Sequence, residues 1–120
     1  MMNMKPFHDR IAEEIVEPML DFMKECGEDA EFSADDVERC RQILAAYVDA
    51  LGALNTPADE AIMAQVERAV LALNDLNEAT DYALIETSER ESICMLIQDA
   101  AVECGLKADV DDVTGEWREW

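Results

Sequence analysis

The sequence predicts an all-α protein: a single-domain antiparallel bundle of about four helices with a short C-terminal helical turn. Three observations carry this expectation. Apolar residues recur at intervals of three and four along most of the chain, the period of a helix that buries one face. Gly and Pro are scarce, at 4 and 3 of 120 residues, which leaves long stretches free of helix breakers. No alternation of apolar and polar residues competes as a strand. At this length the chain can bury one core but not two, so residues 1–120 read as one domain.

The first helix is expected over about residues 7–26, with Phe7, Ile11, Ile15, Met19, Phe22 and Cys26 at helical spacing and Gly27 as the stop. Pro18 lies inside it. It removes a backbone donor and crowds the preceding turn, so a kink near Pro18, or two shorter helices meeting near Glu17, is expected. The second helix, 34–54, starts from Ser33 with Asp36 three residues on, a variant of the capping box. Val37, Cys40, Leu44, Tyr47, Leu51 and Leu54 form its stripe, which Ile43 and Val48 widen enough to meet two neighbours. The third, 57–77, is expected to take Thr56 as N-cap and Pro57 at its first position, with Asp59 and Glu60 in the turn where the dipole favours anions. Ile62, Val66, Ala69, Leu73 and Leu76 follow. The fourth, 89–104, reads from a Ser88/Glu91 capping box through Ile93, Leu96, Ile97, Ala100 and Cys104 to Gly105, with Leu106 placed for a Schellman ending. The tail, 107–120, begins as an acidic loop and is expected to finish in one helical turn capped by Thr114 and carrying Trp117 and Trp120.

Acidic residues outnumber basic ones 29 to 9, for a net charge of −20. Acids exceed bases in each of the stretches 1–27, 28–56, 57–80, 81–105 and 106–120, so the charge belongs to the whole surface and not to an acidic tail. Such a shell repels nucleic acid and anionic membranes and attracts basic partners; halophilic adaptation produces a similar surface with no partner. Residues 1–10 lack the apolar stretch of a signal peptide, and the longest clean apolar run, 43–48, is too short to span a bilayer. A cytoplasmic location with no membrane partner is expected. Cys26, Cys40, Cys94 and Cys104 include no C-x-x-C pair and fall on or beside apolar stripes, which predicts reduced, buried thiols. Cys26 and Cys40, at facing ends of a helical hairpin, are the one pair placed to bridge. Cys94 and Cys104 sit about 15 Å apart along one helix, too far for a disulfide.

Catalytic signatures are missing. The sole histidine, His8, lies near the N-terminus and is expected to be solvated without a partner. Gly27, Gly52, Gly105 and Gly115 are isolated, so there is no phosphate-cradling loop. Glu14-x-x-Glu17 and Glu86-x-x-Glu89 flank the apolar stripes instead of occupying them, unlike the inward carboxylates of di-iron bundles. The acidic runs at 29–35 and 109–112 lack the sixth-position Gly and twelfth-position Glu of a calcium loop. No catalytic, cofactor-binding or metal-ligating residue is assigned.

Two features remain as a candidate interaction surface. Met19, Met23 and Met63, with Met95, Leu20 and Val70, form secondary apolar positions that serve either core packing or a face for homodimerisation or a partner. Trp117 and Trp120, with Arg118 between them, are expected to dock over an open end of the bundle, Arg118 covering its acidic surroundings; exposed, they would be anchors for a partner. The function expected is therefore a non-catalytic, strongly acidic protein–protein interaction protein. Its sharpest version is an immunity- or antitoxin-like inhibitor, or a charge mimic, acting on a basic partner. A self-associating structural helical protein is the first alternative, and a carboxylate metal protein or unrecognised enzyme the second.

Overall fold

A computed structural model describes residues 3–55 and 57–120. The N-terminal stretch folds as α1 (Lys5–Arg10), a π-helical turn (Ile11–Val16) and α2 (Glu17–Cys26), following one another without a break. The sequence explains the widened turn twice over. Phe7, Ile11, Ile15 and Met19 are all buried and are spaced by four each time. On a helix of about 3.6 residues per turn such a run drifts by about 40° per step, and a π turn absorbs the surplus, holding all of them against the core. Pro18 is the second reason, because its ring crowds the carbonyl four residues back and it offers no N–H. The Glu17 N–H reaches back to the Ala12 carbonyl, and Pro18 then sits in the first turn of α2, where a missing donor is harmless. The disturbance expected at Pro18 or near Glu17 takes the form of a π turn that ends at Val16, with α2 starting at Glu17.

At the end of α2, Gly27 takes the left-handed φ of 58° and passes into a short 3-10 turn, Gly27–Asp29. The next helix, α3 (Ala34–Gly52), starts from a complete capping box: the Ser33 hydroxyl accepts the Asp36 N–H, and the Ser33 N–H donates to the Asp36 carboxylate at 2.9 Å. Its stripe of Val37, Cys40, Leu44, Tyr47, Val48 and Leu51 is buried. The Tyr47 phenol goes inside with a partner, donating to the Ile97 carbonyl at 2.8 Å.

Helix α4 (Asp59–Ala79) starts later than expected, with Ala58 at the N-cap position and no side-chain cap; the expected Thr56 cap lies outside the described residues. Its buried face includes two asparagines, Asn74 and Asn77. The Asn77 side chain accepts the Ile85 N–H at 2.9 Å, while the Thr80 hydroxyl accepts the Leu84 N–H, so the connection after α4 is folded onto the bundle with Leu84 and Ile85 buried. Inside that connection Asp81 and Tyr82 both adopt left-handed backbone, at φ 56° and 63°. Helix α5 (Thr87–Glu103) begins ahead of the expected Ser88 cap. The Glu86 carbonyl accepts the Arg90 N–H, so Ser88 lies within the first turn and the Ser88/Glu91 box does not form. At the other end the Schellman pattern is present: Leu106 N–H bonds Ala101, Gly105 N–H bonds Val102, and Gly105 has φ 113°.

The tail is held to the bundle by side chains that grip its main chain. The Asp59 carboxylate accepts the N–H groups of Lys107 and Ala108 at 2.9 and 3.0 Å. Gln98 donates to the Val110 carbonyl and accepts the Val113 N–H, both at 3.0 Å. Asn74 does the same for the Trp117 carbonyl and the Glu119 N–H. Thr114 to Arg118 form one turn, but the buried Thr114 hydroxyl does not cap it. That hydroxyl donates to Asp112, whose carboxylate also takes the Thr114 N–H and so does the capping.

The described residues contain helices and turns but no strand, and the elements share one hydrophobic core. No helix among them is long and apolar enough to cross a membrane.

Candidate functional site

The residues singled out from sequence separate in the structure. Met19 is 1% exposed and belongs to the core under the π turn, so it is removed from any outward face: its four-residue spacing from Ile15 places it on the buried side. Met23 and Met63 are half-buried against that core, and only Met95 of the set is open, at 61%. The tail residues are turned inward. Trp117 and Trp120 are half-buried and pack on the core. Arg118 sits 3.0 Å from the Asp112 carboxylate, over the Trp120 ring at 5.5 Å, and donates to the Trp120 carbonyl. Burial pushes the Asp112 carboxyl up, but the Thr114 hydrogen bonds and the Arg118 charge outweigh it and hold the group below the usual carboxylate range.

His8, expected to be alone, lies with Nε2 2.7 Å from Asp49 Oδ1, a contact made across 41 residues of sequence. The cysteines are free thiols, Cys26 and Cys40 included. Burial pushes Cys40 up to about 12 and is also the leading cause of the raised Cys94 and Cys104, the direction opposite to that of an activated nucleophile. Among the described residues no three His, Cys, Asp or Glu side chains converge to hold a metal ion.

Two of the openings in the surface contrast in chemical character. One is a groove of about 200 Å³ between α3 and α4, lined by four alanines with Ile43, Tyr47, Gln65 and Arg68. The other is a notch of about 160 Å³ assembled from three separate segments. Phe22 and Cys26 come from the last turns of α2, Asp29, Glu31 and Phe32 from the connection that Gly27 turns back, and Ala83 and Glu86 from the connection that Asn77 and Thr80 hold down. Phe32 is buried at 6%, while Phe22, stacked on it with centroids 6.2 Å apart and planes at 10°, is 41% exposed. The carboxylates of Asp29, Glu31 and Glu86 are exposed and make no hydrogen bond or ion pair among the described residues. An aromatic face with unneutralised anions around it suits a cation with a flat apolar surface. Sequence reasoning placed Phe22 on the apolar stripe of the first helix and missed the notch. A large aromatic near the end of an acidic helix, with a second aromatic ten residues on, was the only signal available.

Residues 17–120 match a protein-family model described as a family of unknown function (DUF5713). The chain belongs to this family. The DUF5713 match begins at the start of α2 and takes in the whole notch, the α3/α4 groove and every side chain that grips the tail. No curated protein and no solved structure matches this DUF5713 chain.

Proposed function

We propose that the protein is a non-catalytic, strongly acidic interaction module that binds a basic protein partner in the cytoplasm. One observation carries the reading. Ion pairs among the described residues engage the carboxylates of Asp9, Glu14, Glu38, Asp49, Asp99 and Asp112, Asp36 and Asp59 accept backbone N–H groups, and most of the remaining acids of the 29 are exposed with no basic partner among the described residues. A surface of this kind generates a field that accelerates encounter with a cationic partner and discriminates against anionic ones. The raised thiols and the single histidine, tied to an exposed aspartate, support a binding role over nucleophilic catalysis. An immunity- or antitoxin-like inhibitor, or a charge mimic acting on a basic protein, is the most specific form of this reading.

The immobilised protein, incubated with cell lysate at about 20 mM salt, is expected to retain a discrete basic protein that elutes as the salt rises and screening sets in. A column that retains nothing at that ionic strength rejects the reading. A second reading, self-association as a homodimer, draws on the apolar α3/α4 groove and on the exposed Leu71, Met95 and Val102. Light scattering at high protein concentration separates the two, because a strict monomer counts against the homodimer.

A further inference from the structure

We propose that the notch at Phe22 receives an arginine side chain of the basic partner. The inference rests on the reading above and adds to it a place and a chemistry. The cavity is lined on one side by the Phe22 and Phe32 rings, and Phe22 stays 41% exposed although Phe32 beside it is almost fully covered. A guanidinium is planar and weakly hydrated, so it can lie on an aromatic face while its N–H groups point outward in a fixed fork. Asp29, Glu31 and Glu86 supply acceptors around such a group, and none of them is ion-paired among the described residues. A lysine would keep the charge complement but lacks the flat surface and the bidentate geometry. The α3/α4 groove has the opposite character. Ile43, Tyr47, Gln65 and four alanines line it together with Arg68, so it brings a cation and no carboxylate.

The test is titration of the full chain with hexa-arginine at about 20 mM salt, followed calorimetrically, where surface electrostatics are least screened. Phe22→Ala, and separately the double substitution Glu31→Gln/Glu86→Gln, are expected to weaken binding roughly tenfold each. Phe22→Tyr keeps the ring and is expected to bind like the parent. Phe22→Leu keeps apolar bulk without the π face and is expected to lose roughly threefold or more. Glu60→Gln/Glu103→Gln removes the same charge at the far end of the bundle. Glu103 lies about 25 Å along α5 from Glu86, beyond a Debye length of about 10 Å, so that pair should change binding by less than roughly threefold. Hexalysine should bind the parent more weakly than hexa-arginine, and the difference should vanish in Phe22→Ala.

If hexa-arginine binds but the notch variants do no more than the distant pair, or if hexalysine binds equally well, the arginine site is overturned while the acidic-module reading stands. If hexa-arginine does not bind the parent at all, both fall. Thermal melts confirm that each variant is folded.

Discussion

The carboxamide of Asn74 on α4 donates to the carbonyl of Trp117 at 2.8 Å, and its oxygen takes the N–H of Glu119 at 3.0 Å, so one side chain closes a span of 43 residues. Asn74 is 7% exposed, and water offers little replacement for either bond. Asn74→Ala is expected to cost about 1–3 kcal/mol and to release the last residues of the tail. Both tryptophans of the chain lie there, so their emission should shift to the red and their quenching by iodide should rise. Unchanged emission and an unchanged melting temperature would mean that the tail is fastened by something else.

Deleting residues 116–120 removes Trp117 and Trp120, both packed on the core. The apolar area involved sets the expected loss at about 2–4 kcal/mol in denaturant titration. The low end is favoured, since Arg118 Nε and Trp120 Nε1 are enclosed without a protein acceptor and offset part of the gain. A truncated protein as stable as the full chain would reject docking of the tail as a source of stability.

Tyr82 holds a left-handed φ of 63° with its side chain 58% exposed. A β-carbon in that region is strained by about 1–2 kcal/mol, and little packing is lost on removing this ring. Tyr82→Gly is therefore expected to raise stability by about 1 kcal/mol after the entropy of glycine in the unfolded chain is subtracted. A lowered melting temperature would show that the ring contributes more than the backbone loses.

Alkaline pH should destabilise the fold. The Cys40 thiol, ordinarily titrating at 9.0, is pushed up to about 12 by burial, so the native state keeps this proton over a range in which the unfolded chain has lost it. Stability tied to Cys40 is complete below pH 9.0 and is lost as the pH climbs through 12. Tyr47 is raised in the same direction, by burial first and by the Cys104 charge second. Denaturation midpoints measured from pH 7 to about 10.5 should fall, and Cys40→Ala should reduce the slope. A variant with the parental slope would remove Cys40 from the account.

On the acid side the sign reverses. The folded Asp112 carboxyl lies below its ordinary value of 3.8, so its contribution is present above that pH and disappears as the pH drops through the folded value. In Asp112→Asn the tail should loosen already at neutral pH, read as red-shifted tryptophan emission, because the Arg118 pairing and the charge-assisted bonds from Thr114 are weakened together. Emission identical to the parent at pH 7 would contradict that role.

The helices were legible because burial follows a period the chain displays openly. Val37, Cys40, Leu44, Tyr47 and Leu51 are all buried as their spacing of three and four requires, and the Ser33/Asp36 cap is local enough to be read by eye. What stayed hidden depends on contacts between distant residues. Asn74 and Asn77 look like lapses in an apolar stripe, and nothing in their neighbours says that one holds the tail and the other the connection before α5. His8 meets Asp49 only because α1 lies along the end of α3. The notch draws on three segments separated by turns, so neither Phe22 nor Glu86 carries a local mark of it. The π turn was half visible: the unbroken fours from Phe7 to Met19 do not fit an ordinary helix, and Pro18 marks the junction at Glu17 where the turn gives way to α2.

Every clamp on the tail, from Asp59, Gln98 and Asn74, touches main-chain atoms alone. Recognition of that kind is indifferent to side-chain identity, so substitutions at Asp109, Asp111 or Glu119 leave these bonds in place, whereas replacing one of the three gripping residues in the body removes them. Proline is the exception. At Lys107, Ala108, Val113 or Glu119 it would remove the N–H being held, so at these positions drift of the tail is bounded by backbone chemistry.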